Sequence, residues 1–467
     1  MTRGLRRIVP VSCVALTWLA ASCAVKQPPP PADQIGETLP AASVPPQWRT
    51  ATHLGGPVMT EWVQTFGDAQ LEAIIEEGLR NNLDLRAAAA RVDLALALSV
   101  QARSQLYPQI SASSSLGVVG SEEISDRIGL AGSMSWELDL WGRVRAQSAS
   151  ADASRQAADA DLQSARQSLA AMVATLWYQT VATERLRQTT EEAAVVYTDL
   201  LRLVRVRNVI GQVGQQDVAL AGADLDRARQ RERAFAASGQ SIERSLEVLI
   251  GRYPAAEVAL APDLPTLPDP VPDGLPSELL ERRPDLVAAS RRVAAAFHAI
   301  QAAEAARLPR IALTAGGGRS SSELLRLAGV PANFWQTGLD LLAPIFTGGA
   351  LQAAVRAADA NQRAALALYG QAALRAFSEV ENSLTRERNL SDQQRYLESV
   401  LVQDTDALRL GRLRYDVGAD DLLHVLNLQA RQLNTQFELI GVRNDRLATR
   451  IALHLALGGG FTPNPNP

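Results

Sequence analysis

Cysteine is nearly absent from this 467-residue chain, which has two, Cys13 and Cys23. Cys13 lies in an N-terminal stretch of the kind that is removed, so no disulfide within the mature chain can brace the fold. Aromatic residues make up 5%, and the histidines His53, His298, His424 and His454 fall at spacings that match no metal site. No phosphate loop, nucleophile elbow or zinc signature occurs, so the chain is read as carrying no catalytic residue and no cofactor. A basic stripe interleaved with aromatics is missing too, which excludes a nucleic-acid binder. The formal net charge is −4 and becomes more negative once a leader bearing Arg3, Arg6 and Arg7 is lost. Charged residues at 21% rule out a helical protein of many membrane spans, and hydrophobic residues at 47% rule out disorder.

Two further absences set the architecture. Proline is missing from Pro108 to Pro254 and again from Pro344 to Pro463, and Arg143 to Ile210 holds no glycine either. These runs are rich in alanine, leucine, glutamine and arginine. The first predicts a helix of about 65 residues, roughly 100 Å long, and Ala350 to Leu410, broken in sequence only by Gly370, predicts one of similar length. Rods of that length fit no compact domain and must pack side by side. The glycine-bearing turns "NVIGQVGQQD" (208 to 217) and "YDVGADD" (415 to 421) reverse the chain, and shorter helices return to Gly251 and Gly458.

What is present is present twice. "NNLDLRAAA" at 81 to 89 and "RRPDLVAAS" at 282 to 290 open a repeat in which Leu85 matches Leu286, Val92 matches Val293 and Pro108 matches Pro309, at an offset of 201. Further on the offset is 207, so that Gly142 matches Gly349, Arg207 matches Arg414, Gly211 matches Gly418 and Gly251 matches Gly458. Asp84 and Asp285 are read as helix-start residues favoured by the helix dipole, not as a catalytic pair. The copies span 61 to 252 and 277 to 460, with a tail at 461 to 467. Between them, 253 to 276 holds seven prolines and reads as a surface connector.

Before Gly142 and Gly349 the apolar period changes from helical to two. Ile110, Ala112 and Leu116 face one way against Ser111, Ser113 and Ser115, and Ile128, Leu130, Met134, Trp136, Leu138 and Leu140 face one way against Ser133, Ser135, Glu137 and Asp139. Ile311, Leu313 and Ala315, then Trp335, Leu339 and Leu341, repeat the idea. Strands of about 10 residues with a polar and an apolar face suit a barrel in an outer membrane, and Tyr107, Trp136, Trp141 and Trp335 sit where an interfacial aromatic girdle belongs. "GGGRS" at 316 to 320 ends a strand and opens an external loop. Four strands cannot close a barrel, so the chain is expected to oligomerise, and three copies supply twelve strands.

The N-terminus names its own compartment. A basic start, an apolar stretch from Ile8 to Ala21 too short to span a bilayer, and small residues before Cys23 form a secretory signal, residues 1 to 22. "LAASC" resembles the bacterial lipoprotein signal, with Ala20 where a leucine is usual, and implies that Cys23 carries acyl chains. Ala24 is not the aspartate associated with inner-membrane retention, which points to the outer membrane. The segment 23 to 60 is read as the lipidated end plus an extended, proline-rich tether, with ordered structure starting near Trp48.

"WVQTFGDAQLEAIIEEGLRNNLDL" (62 to 85), "LYPQIS" (106 to 111), "WELDLWGRVRA" (136 to 146), "RRPDL" (282 to 286), "APIFTGG" (343 to 349) and "RYDVGADDLLHVLNLQ" (414 to 429) together resemble the TolC-like outer membrane factors, in their lipoprotein branch of NodT type. The resemblance implies a mainly α fold with a β-barrel part. It describes a homotrimer whose 12-stranded barrel, four strands per protomer, continues into a long α-helical barrel. It implies passive efflux of small molecules, a periplasmic adaptor and an inner membrane pump as partners, and a gate at the periplasmic turns. Asp416, Asp420 and Asp421 belong to the second turn, where the first has Val209, Val213 and Gly214. They read either as carboxylate rings in a narrow pore or as helix caps in solvent. By motif, Leu423 matches a constriction, and Asn427 and Ala430 stand where relatives place the aspartate and arginine of a salt-bridge lock. A type I protein secretion channel is the alternative within the class, and a coiled-coil periplasmic scaffold lipoprotein the alternative outside it.

Overall fold

The computed structural model describes residues 25–39, 44–50, 61–120, 124–271, 276–321 and 333–460. Cys23 lies outside them. The elements run α1 (Pro31–Thr38), a 3-10 turn (Trp62–Phe66), α2 (Ala69–Asn81), α3 (Leu83–Ser104), β1 (Gln109–Gly120), β2 (Ile124–Glu137), α4 (Arg143–Val209), α5 (Gln215–Leu249), α6 (Leu279–Arg282), α7 (Pro284–Ala305), β3 (Arg310–Ser321), β4 (Asn333–Leu342), α8 (Ala350–Asp416) and α9 (Leu422–Ala456). The bounds of α4 and α8, and of α5 and α9, differ by the offset of 207, and those of α3 and α7 by 201. Pro284 opens α7 as the first helical residue, and Asn82 accepts from the N–H of Leu85 at the start of α3. The two long helices have 67 residues each, and α8 runs unbroken through Gly370.

The chain divides into two compact units. The first holds Ala89–Asp161 and Asp285–Ala372 with the residues up to Ala42, and includes the sheet. Its four strands lie in the order β1-β2-β3-β4, all antiparallel. β2 ends at Glu137 rather than running to Trp141 as the alternation suggested. The reason is Asp139, whose carboxylate accepts from the N–H groups of Val144 and Arg145 at 3.0 and 2.9 Å and so opens α4. Arg143 pairs with Glu137 beside it.

The tether read as extended contains α1. Pro31 begins it, where the missing N–H costs nothing. Gln34 and Ile35 are buried, and any side chain at Gly370 would collide with Thr38, so the helix docks where α8 has no Cβ. Lys26 and Gln301 exchange two hydrogen bonds just before it.

The second unit comprises Ser43–Ala88, Leu162–Pro284 and Ala373–Pro467. One of its cores gathers Trp62, Phe66, Leu71, Ile75, Trp177, Tyr178, Leu246 and Ile250. Gly251, at φ 79°, lies so near Asn81 that a Cβ would meet it at 2.9 Å. The connector has neither helix nor strand from 253 to 271, as its prolines required, yet it does not merely lie on the surface. Buried Glu247 accepts from the N–H groups of Ala256 and Glu257, and Val258 and Val271 are buried. Trp48 packs on Phe377, and Glu381 accepts from the N–H groups of Arg49 and Thr50 and from the Thr50 hydroxyl.

His454 stacks on Trp62 at 5.8 Å and is held neutral: burial, and then Arg450 nearby, push its pKa down to about 4. An unfolded histidine titrates near 6.5, so between these values the unfolded chain binds the extra proton. The stability tied to neutral His454 is complete above about pH 6.5 and drains as pH falls toward about 4. His454→Phe is expected to flatten this part of the curve in urea unfolding measured across pH 4 to 7. An unchanged slope would place the pH dependence elsewhere.

Candidate functional site

The sheet and the helical turns carry the chemistry, and the register of the sheet defines its two faces. On one face Ile110 pairs with Met134, Met134 with Ala315 and Ala315 with Thr337, and Trp136 pairs with Leu313 and Leu313 with Leu339. On the other, Ser111, Ser133, Gly316 and Gln336 form one row, and Ser113, Ala131, Gly318 and Phe334 the next. The Ser111 and Ser133 hydroxyls are 2.8 Å apart. The apolar face is open: Ile110 is 80%, Trp335 82% and Leu341 67% exposed. Among the described residues β1 and β4 each bond on one side only, which leaves two free edges. Strands of 10 to 14 residues, at roughly 3.3 Å per residue, are long enough to cross a hydrocarbon layer when tilted.

The four aromatics divide between the ends of the sheet. Tyr107 precedes β1, Trp136 is near the end of β2 with its indole N–H on the Leu106 carbonyl, and Trp141 gives its N–H to the Pro309 carbonyl in the turn beyond. Trp335 lies at the opposite end, beside Gly317. Among the described residues no helix is long and apolar enough to cross a membrane, which says nothing of strands.

The two turns share a backbone and differ in side chains. Gly211 and Gly418, at φ 75° and 73°, allow each helix to end, and Gln212 and Ala419 return N–H bonds to Arg207 and Arg414. In the first turn Asn208 donates to the Val213 carbonyl, and Asp217 accepts from the Gly214 N–H. In the second, Asp421 caps α9 by accepting from the His424 N–H at 2.7 Å. Asp420, largely sheltered, lies 3.8 Å from both the Arg414 guanidinium and the His424 ring. Asp416 is exposed, and all three aspartates line a cleft of about 560 Å³ with Arg207, Asp217 and Tyr415. Leu423 and Asn427, four residues apart, share the exposed face of α9, with Ala430 exposed beyond them, while Leu422, Val425 and Leu426 enter the core.

Sequence reasoning missed several contacts here. The Arg207 guanidinium lies 4.1 Å from the Tyr415 ring, joining the two turns. Deeper in, Asp404, 4% exposed, accepts from Arg431 and Thr435, and Arg412 donates to Gln429. Arg207 was visible only as the repeat partner of Arg414, and nothing in its neighbours announced an aromatic partner more than 200 residues away.

A chain with this sheet, these free edges and these paired helical hairpins has the build of an outer membrane channel. The outer membrane efflux protein family matches it over residues 74–252 and 275–459, and the chain belongs to that family. The toluene efflux pump outer membrane protein TtgC of Pseudomonas putida is 31% identical over 412 residues, 86% of this chain and 85% of TtgC. The pyoverdine export outer membrane protein OpmQ of Pseudomonas aeruginosa is 33% identical over 440 residues, 90% of this chain and 92% of OpmQ. Among solved structures, the outer membrane channel MtrE of Neisseria gonorrhoeae in its open state aligns with a TM-score of 0.83 at 26% identity, over 94% of this chain and 98% of MtrE.

Proposed function

We propose that this chain is the outer membrane duct of a tripartite efflux system, passing small molecules outward from an inner membrane pump and a periplasmic adaptor. The observation that carries this reading is the four-stranded sheet with one apolar face, one face rich in serine and glycine, and two edges unpaired among the described residues. Three copies joined edge to edge give a closed 12-stranded barrel, which removes edges that lipid cannot accept. The export roles named for TtgC and OpmQ support a small-molecule cargo. Cys23 bears the acyl anchor, and Asp416, Asp420, Asp421, Leu423 and Asn427 form the gate.

The capping bond of Asp421 and the charge contacts of Asp420 hold the second turn in one shape, and threefold repetition sets these carboxylates around the axis. Rings of carboxylate slow cations in a narrow pore. The purified protein in planar bilayers is expected to form channels, and Asp420→Ala with Asp421→Ala to raise the single-channel conductance. Its intact mass is expected to include the acyl groups on Cys23. A protein that inserts but conducts nothing under any condition, in both forms, would defeat the duct reading; equal conductance of the two forms would defeat the gate.

A further inference from the structure

The connector, the middle of α8 and the last turns of α9 enclose a cleft of about 590 Å³, a size that takes a small organic molecule. Its walls are largely apolar, with Leu267, Pro268, Pro270 and Val271 from the connector and Leu384 and Leu453 from the helices. Its charged groups are unevenly matched. Glu387 Oε1 accepts from Arg446 at 3.0 Å and from Arg450 at 2.9 Å, so two guanidiniums share one carboxylate. Arg450 is buried, and Glu387 and Arg446 are largely sheltered. Three atoms of this trio are enclosed without a hydrogen-bond partner: Glu387 Oε2, Arg446 Nε and Arg450 Nε. A second positive charge kept from water beside a single carboxylate is costly, and an anion placed next to it offsets that cost.

The rim does not balance the charge. Arg388 is exposed and donates to the neutral Thr50 carbonyl at 3.2 Å, and Asp392 is paired with Arg395 at 3.0 Å. Asp269 is exposed and meets Arg450 through its carbonyl oxygen. The guanidiniums of Arg388, Arg395, Arg446 and Arg450 therefore stand against the carboxylates of Asp269, Glu387 and Asp392, four against three, which leaves one net positive charge. Nor does the repeat call for the trio. At offset 207 the first copy has Thr180, Gly239 and Glu243 in place of Glu387, Arg446 and Arg450, so this charge arrangement belongs to one copy alone.

We propose that this cleft binds a small amphipathic organic anion, a carboxylate or sulfonate on an apolar body. The anionic head meets Arg388 and Arg446, with the Ser391 hydroxyl at the same end, and supplies the charge that Glu387 leaves unmatched. The body lies against Leu267, Pro268 and Pro270. Guanidinium donors suit a planar oxyanion, and walls of leucine and proline favour an anion with an apolar part over a bare inorganic one, which loses its water there without recompense. Bound in this way, the anion touches both the connector and α8, and so holds the connector more firmly in place.

Isothermal titration calorimetry of the purified full-length protein in detergent tests the site, with sodium benzoate as the probe. Benzyl alcohol serves as its neutral counterpart and sodium sulfate as a bare anion, all at constant ionic strength. Benzoate is expected to bind saturably and about tenfold more tightly than either. Arg446→Gln and Arg388→Gln are each expected to weaken benzoate about tenfold, the usual loss of a charge-assisted hydrogen bond. Arg388 is exposed, so Arg388→Gln decides the matter if Arg446→Gln does not fold. Benzoate is also expected to slow cleavage by endoproteinase Asp-N at Asp269 in the wild type and to lose that effect in Arg388→Gln. Benzyl alcohol binding as tightly as benzoate would reduce the cleft to an apolar surface, and sulfate binding as tightly would reduce it to a plain anion site; either result overturns the proposal. So does the absence of saturable benzoate binding, or benzoate binding that Arg388→Gln leaves unchanged.

Discussion

Trp177→Ala is expected to lower the stability of the chain by about 3–5 kcal/mol, the usual loss for emptying a large aromatic site in a packed core. Trp177 has no exposed surface and sits among Leu71, Ile75, Val173 and Ile250. It does more than fill space. Its indole N–H donates to Asp68 at 2.8 Å, while the other oxygen of Asp68 accepts from the N–H groups of Gln70 and Leu71 and starts α2. The substitution therefore opens a cavity and loosens a helix cap 109 residues away. Trp177→Phe keeps most of the volume and loses only the hydrogen bond, a loss of about 1–2 kcal/mol. Urea unfolding followed by circular dichroism separates the two. Equal, small losses in both variants would mean that the core closes over the gap.

Arg450→Ala is the second large effect. Arg450 is 2% exposed and donates to the carbonyls of Pro268 and Asp269 and to Glu387, which also accepts from Arg446. Removing the guanidinium leaves two carbonyls and part of a carboxylate without their donor, a change that costs about 3–5 kcal/mol where a buried ion pair is broken. The damage has an address, because proline-rich connector has no ladder of its own to fall back on. Cleavage by endoproteinase Asp-N at Asp269 is expected to quicken in Arg450→Ala well before the helices melt. Wild-type cleavage rates in the variant would show that Glu247, Val258 and Val271 hold the connector without Arg450.

How far the sequence discloses this protein depends on which force decides each feature. The ends of α4, α5 and α9 were legible because proline and glycine act locally, whereas α8 continues through Gly411 to Asp416 past the Leu410 end that the glycine suggested. The strand faces were legible because alternation is a direct record of which side meets apolar surroundings. The end of β2 was not, since Leu138, Leu140 and Trp141 continue the alternation while Asp139 turns the chain by capping α4. The helix in the tether was hidden for a similar reason. Four consecutive prolines, Pro28 to Pro31, argue for extension, yet Pro31 is harmless at a helix start, and what holds α1 is a glycine of α8 some 330 residues on. At the turns, the aspartates could be named from the motif, but Arg207 on Tyr415 and Asp404 on Arg431 depend on packing between distant helices, which no local pattern encodes.

The serine and glycine rows of the sheet bear on how fast cargo moves. A surface of small hydroxyls and bare backbone gives a passing molecule hydrogen bonds about as strong as those water gives it, and few contacts deep enough to hold it. Gly316 and Gly318 lie on this face of β3, so this strand offers it no side chain in mid-course. Such a lining exerts little drag on any solute that enters, whatever its shape. On the duct reading proposed above, the choice of what to export would then belong upstream, and the rate to the proposed gate at the turn from Asp416 to Asn427.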